Sequence, residues 1–201
     1  MAFQPKQLYS LDEYLDLEKR SEEKFEFWGG TVWSMSGASA PHDRIVTNLL
    51  VEIGSRIRAK GCSVFSPDMR VKVPSYPPYR YPDLAALCGV AEFEQLGGID
   101  MLLNPQLIVE VLSESTEAFD RGDKFSYYKS IESFSEYLLV AQHRPHVSHF
   151  VKHGDGFWVN LEYNDLDETV ELRSVPCSLP MSAIYREVTF PEQDPKETRH
   201  P

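Results

Sequence analysis

"NPQLIVEVLSEST", Asn104 to Thr116, holds the residue around which the rest of the chain is read: Glu110, a carboxylate inside an apolar strand. Leu107 to Ser113 has the character of a strand. Side chains alternate along it, so Leu107, Val109 and Val111 share one face while Ile108, Glu110 and Leu112 share the other. A lone buried carboxylate is heavily penalised unless it has a cation, hydrogen bonds or a proton. The plain alternative is a glutamate at a wet strand end, or one paired with an arginine.

A second acid has the same setting. In "YPDLAALC" Asp83 opens an apolar strand after Pro82, with Ala85 and Leu87 as its face-mates. If the two strands pair, Asp83 and Glu110 converge. Like charges at close range raise each other's pKa unless a cation lies between them. A hard divalent ion with oxygen ligands, Mg²⁺ or Mn²⁺, resolves the conflict. In "DRGDKFSYYK" Lys124 lies on the helix after the Glu110 strand. It is either an i,i+4 partner of Asp120, worth a few tenths of a kcal/mol, or an ammonium aimed back at the carboxylates, where it could steady a water or phosphate charge.

Outward from this stretch the chain alternates helices and strands. Ser10 to Arg20 predicts a short helix with a Ser10–Glu13 capping box. Phe25 to Met35 predicts a hairpin about Gly29-Gly30. Ile45, Leu49, Ile53 and Ile57 mark a helix over His42 to Lys60, stopped by Gly61. Strands are expected over Ser63–Val73 and Tyr81–Cys88, with the proline-rich 74–82 stretch extended between them, and a short helix and loop over Ala91–Asn104. A helix over Thr116–Ile131 precedes strands at Tyr137–Val140, Val147–Lys152, Phe157–Leu161 and Thr169–Leu172. Tyr127 and Tyr128 are read as core. The sum is an α/β layered domain with a mixed sheet over residues 1–190, followed by a polar tail at 191–201.

Composition bounds the function. The 201 residues carry a net charge of −11, which favours solubility and opposes an evenly basic, nucleic-acid-coating surface. Any DNA should avoid the acidic stretch from His153 to Glu171 and approach near Arg44, Arg80, Arg121 and Lys124. Cys62, Cys88 and Cys177 are far apart, odd in number and without a CxxC pair, which reads as reduced thiols in a cytoplasmic protein. No apolar run is long enough to span a membrane. His143, His146, His149 and His153 invite a zinc reading, but solvated hairpin histidines are the better account. No nucleotide-binding glycine motif, HExxH or G-x-S-x-G is present.

The stretches "FEFWGGTVWSMS", "PHDRIVTNLL", "RYPDLAAL", "LIVEVLSEST", "DRGDKFSYYK" and "EYLLV", in this order, resemble the PD-(D/E)XK nuclease superfamily and, within it, the restriction-endonuclease-like Uma-two family. The resemblance runs from about Leu11 to Val140. It implies a three-layer restriction-endonuclease-like fold, a mixed sheet flanked by helices. It implies Mg²⁺- or Mn²⁺-dependent hydrolysis of DNA by a homodimer, with Asp83, Glu110 and the Val111 carbonyl as metal ligands. The parent motif places a lysine two residues after the glutamate. Leu112 stands there, and the resemblance transfers that role to Lys124. Glu26 and His42 are further matches; on alternation and position alone Glu26 is a solvent-facing strand residue and His42 a packing or capping residue. The competing expectation is a degenerate nuclease fold serving as a dimeric interaction or DNA-binding module.

Overall fold

The computed structural model describes residues 8–21, 23–35, 37–74 and 79–190. The 191–201 tail and the centre of the proline-rich stretch lie outside them.

The chain opens with α1 (Leu11–Arg20). Ser10 Oγ accepts from Glu13 N at 3.2 Å and Glu13 accepts from Ser10 N at 2.7 Å, closing the expected capping box. Ser10→Ala should lower stability by about 1 kcal/mol in urea denaturation. Hairpin β1 (Phe25–Trp28) and β2 (Thr31–Ser34) turns on Gly29 and Gly30, whose φ values of 57° and 77° are open to glycine at no steric cost. Next comes α2 (Ala40–Ile57), capped by Ser39, with a 3₁₀ turn (Arg58–Lys60) and left-handed Gly61 ending it.

The strands that follow are β3 (Cys62–Phe65), β4 (Arg70–Lys72), β5 (Tyr79–Arg80), β6 (Leu84–Cys88), β7 (Phe93–Leu96), β8 (Ile99–Leu102) and β9 (Leu107–Leu112). A helical segment then runs through α3 (Glu117–Phe119), a π-helical turn (Asp120–Lys124) and α4 (Phe125–Tyr128). The chain closes with β10 (Glu136–Ala141), β11 (Val147–Lys152), β12 (Trp158–Tyr163), β13 (Thr169–Leu172), β14 (Cys177–Pro180) and α5 (Met181–Ile184).

The central sheet is mixed, in the order β12-β11-β10-β9-β6-β3, with β9 and β10 parallel and the other neighbours antiparallel. The two faces of β9 separate as alternation requires. Leu107, Val109 and Val111 pack with Ile45, Leu49 and Ile53 of α2 and with the β13–β14 hairpin. Ile108 and Leu112 pack with Phe125 and Tyr128 of α4. This is the three-layer, restriction-endonuclease-like arrangement. A smaller sheet, β5-β4-β8-β7, and the β1–β2 hairpin flank the helical segment's side.

Four expectations are corrected. Ser63–Val73 is not one strand: a turn at 66–69 sends β3 into the central sheet and β4 into the small one. Ala91–Asn104 is a β-hairpin about Gly97-Gly98, not a helix and loop. The helix expected over 116–131 is interrupted by the π turn. Cys62 and Cys88, 26 residues apart, are register partners on β3 and β6 and are joined by a disulfide, so they are not reduced thiols; Cys177 is free and buried. Among the described residues no helix is long and apolar enough to cross a membrane.

Candidate active site

Strand register builds the site. Leu84 pairs with Val109, so the next step along β6–β9 sets Asp83 beside Glu110. Ala85 and Leu87, the face-mates of Asp83, pack in the same cluster as Ile108 and Leu112, the face-mates of Glu110. Both carboxylates therefore lie on one side of the sheet, at its open end. Asp83 Oδ2 accepts from Val111 N at 2.7 Å, which locks the acid to the backbone of β9.

The helical segment after β9 supplies Lys124. Asp120 and Lys124 are both buried, at opposite ends of its π turn. Lys124 Nζ lies 2.9 Å from Glu110 Oε1, 3.3 Å from Asp120 Oδ1 and 3.7 Å from Glu26 Oε1. Lys124 thus pairs inward as well as with Asp120, and the helix-surface alternative does not hold. Burial opposes its charge, but Glu110, Glu26 and Asp120 together hold its pKa well above the ordinary lysine value. Glu110 is 3% exposed. Burial pushes its carboxyl well above the ordinary range, the nearby Asp120 and Asp83 charges add to this, and Lys124 works against it. Tyr128 donates to Glu110 Oε1 at 2.8 Å and fixes the carboxylate's orientation.

Glu26 reaches the site from β1, lying 3.8 Å from Arg80 Nε. It is not the solvent-facing residue that alternation alone suggested. His42 enters from the first turn of α2, with Nε2 3.4 Å from Asp83 Oδ2. Burial opposes its protonation, but Asp83 and the Val111 backbone more than offset this and raise its pKa. Glu26, His42, Asp83, Glu110, Val111 and Lys124 all line a single cleft of about 690 Å³.

Two members escaped the sequence reading. Asp120 was seen only as a helix partner of Lys124. Arg80 was placed among DNA-facing cations, yet it is 1% exposed, donates to Phe27 O at 2.8 Å and lies over the rings of Phe119 and Tyr127. The one available signal for Arg80 was its place two residues from Pro82, in a segment dense with aromatics.

The donor set suits a hard cation. Among the described residues Glu26 Oε1 and Asp120 Oδ1 are buried oxygens without a hydrogen-bond partner, and Arg80 and His42 carry buried nitrogens that also lack one. Four carboxylates (Glu26, Asp83, Glu110, Asp120) face two permanent cations, Lys124 and Arg80. A divalent ion would neutralise that excess, and its ligands here would all be oxygens. Among the described residues no three His, Cys, Asp or Glu side chains form a ready ligand cluster. Two carboxylates and a main-chain carbonyl are thus what Asp83, Glu110 and Val111 would bring.

The histidines give no such site. His146 and His149 are buried rather than solvated: His149 Nε2 bonds Glu136 at 2.7 Å and His146 Nδ1 meets Asn164 at 2.8 Å. His143 and His153 are exposed.

Comparison with known proteins bears on the fold and the family. Residues 11–182 match the profile of the Uma2 family, described as "Putative restriction endonuclease". The chain belongs to the Uma2 family. Two Synechocystis proteins, both described only as uncharacterized, are relatives. Protein slr1290 is 32% identical over 181 residues, covering 90% of this chain and 93% of its own. Protein sll1609 is 36% identical over 150 residues, covering 75% and 84%. The crystal structure of a "putative nuclease belonging to DUF820" from Anabaena variabilis superimposes with a TM-score of 0.70 at 16% identity, covering 88% of this chain and 97% of that one. It shares the fold of this Uma2 chain.

Proposed function

We propose that this protein is a metal-dependent endonuclease that hydrolyses DNA phosphodiester bonds. The observation that carries the reading is the meeting of Asp83 and Glu110 on one face of the sheet with a buried Lys124 between Glu110, Asp120 and Glu26. Buried charge of this kind is costly for stability alone and belongs where a pKa or an ion is being managed.

Asp83, Glu110 and the Val111 carbonyl would hold Mg²⁺ or Mn²⁺, which when bound polarises phosphate oxygens and lowers the pKa of a water. Lys124 holds a positive charge beside Glu110, where negative charge gathers on the phosphate during attack. Tyr128 keeps Glu110 from rotating. His42 holds Asp83 and supplies a proton-bearing nitrogen at the cleft wall. Glu26 and Asp120 keep Lys124 protonated. The expected partner copy, a homodimer, is tested by light scattering on the purified protein.

The degenerate-module alternative draws on Leu112, which occupies the parent motif's lysine position. Plasmid nicking in Mn²⁺ separates the two readings. The nuclease is expected to nick, and Asp83→Ala to abolish nicking. Equal nicking by both proteins would mark a contaminant and remove the support for the enzyme.

A further inference from the structure

The hairpin that brings Glu26 into the cleft brings two tryptophans with it. Cross-strand partners in an antiparallel pair lie on the same face. Glu26 stands opposite Trp33, and Trp28 opposite Thr31, so Glu26, Trp28 and Trp33 share the face turned to the carboxylates. The reverse face, with Phe25, Phe27 and Val32, packs on Tyr14 and Tyr79. Trp28, Trp33 and Met35 line the same cleft as Asp83, Glu110 and Lys124. All three are exposed, Trp33 by 51%. The Trp28 ring leans on Phe119 at 5.0 Å, which carries the aromatic wall across to α3. Apolar surface gathered at the mouth of a charged cleft marks a contact site.

The charges around this wall select its ligand. A duplex is held mainly by cations that neutralise phosphates along its length. The cations expected to do so are buried or already paired. Arg80 and Lys124 are buried in the site, Arg121 bonds Glu117 and Ser148, and Arg44 faces Glu187. Contact beyond the single phosphate at Lys124 then falls to the rings. Each base has a π-face to stack on tryptophan whatever its identity, but in a duplex those faces are hidden in the stack.

We propose that the cleft takes a single-stranded or locally unpaired segment of nucleic acid, with Trp33 and Trp28 stacking on bases beside the phosphate offered to Asp83, Glu110 and Lys124. This rests on the nuclease reading above. It names the strand state of the substrate, which neither the family nor the fold names.

Tryptophan fluorescence tests it. The third tryptophan, Trp158, is packed against Phe125 and Phe134 on β12 and does not line the cleft, so quenching reports Trp28 and Trp33. The protein in Ca²⁺ is titrated with a short oligothymidylate and with a duplex of the same length. The single strand is expected to quench and to bind about tenfold tighter than the duplex. Trp33→Ala should weaken that binding about tenfold, and Trp33→Phe should restore most of it. Because Trp33 is half exposed, neither substitution threatens the core. Equal affinity for both strand states, or an unchanged Trp33→Ala, would overturn the proposal. Quenching by spermidine but not by the oligonucleotide would do so too, assigning the wall to an organic cation. Asp83-dependent plasmid nicking without quenching would sink this inference and leave the nuclease reading intact. Oligonucleotide binding lost in Trp33→Ala, with no cleavage in Mn²⁺, would keep the stacking wall and remove the nuclease.

Discussion

Lys124→Met is expected to slow Mn²⁺-supported cleavage about 100-fold or more while Mn²⁺ still binds. Lys124 is not among the proposed ligands, so its loss leaves Asp83, Glu110 and the Val111 carbonyl in place. The rate falls because a preorganised charge beside the reacting phosphate is worth about 10²–10³ in rate. Metal affinity should hold or tighten, since a neighbouring positive charge has gone. The same substitution should destabilise the metal-free protein by about 3 kcal/mol or more, because Glu26, Glu110 and Asp120 lose the cation they surround. Glu110→Gln should also abolish cleavage but do the opposite on the other two axes, metal binding and stability. It removes one of the proposed ligands, so metal binding and cleavage should both be lost. It also removes one negative charge from a cluster with an excess of them, and its amide oxygen can still accept from Tyr128. Its stability cost should stay below about 1 kcal/mol. Calorimetry with Mn²⁺, nicking rates and urea midpoints on the two variants give six readings. A Lys124→Met protein that nicks at the wild-type rate would return Lys124 to a structural role.

The central strands and their faces were open to inspection because alternation is local. Leu107, Val109 and Val111 sort from Ile108, Glu110 and Leu112 with no knowledge of partners, and the pairing of Asp83 with Glu110 follows once β6 and β9 are neighbours. What escaped was non-local or irregular. The π turn at 120–124 breaks the 3.6-residue period on which helix reading depends, and which face of the segment is buried is set by the sheet it packs on. The Gly97-Gly98 hairpin carried the same glycine pair as Gly29-Gly30, but β7 is largely exposed and lacks the apolar alternation that makes a strand visible. Arg80 reads as a surface cation by type; its burial is made tolerable by the Phe27 carbonyl, the Glu26 carboxylate and the rings of Phe119 and Tyr127, none of them near it in the sequence. The Cys62–Cys88 partnership depends on a register that no spacing of 26 residues announces. His149 lies on a strand that was read correctly, but its partner Glu136 is held by the loop between β13 and β14, more than twenty residues on.

That loop supplies the second large effect. Glu136, at the start of β10, accepts from Arg173 N at 3.0 Å, from Ser174 N at 2.8 Å, from the Ser174 hydroxyl and from His149 Nε2 at 2.7 Å. It is 1% exposed, so burial alone would push its pKa up; the bonds from His149, Ser174 and Arg173 outweigh this and leave it below 4.5. A carboxylate whose folded pKa is depressed binds fewer protons folded than unfolded just above that value. Its stabilisation is therefore complete above the unfolded value near 4.5 and drains away as pH falls through the folded one. Glu136→Gln keeps the shape but turns acceptor capacity into donors that face backbone N–H groups. It should cost about 3 kcal/mol at neutral pH. Because Glu136 is the anchor of the β13–β14 hairpin to β10, the loss should show first as faster amide exchange at Val170, Leu172 and Leu179, ahead of the central strands. The gap between wild type and variant should narrow as the pH is lowered through 4.5 and beyond. A gap that stays constant across that range would mean that the charge of Glu136 contributes nothing to holding the hairpin down.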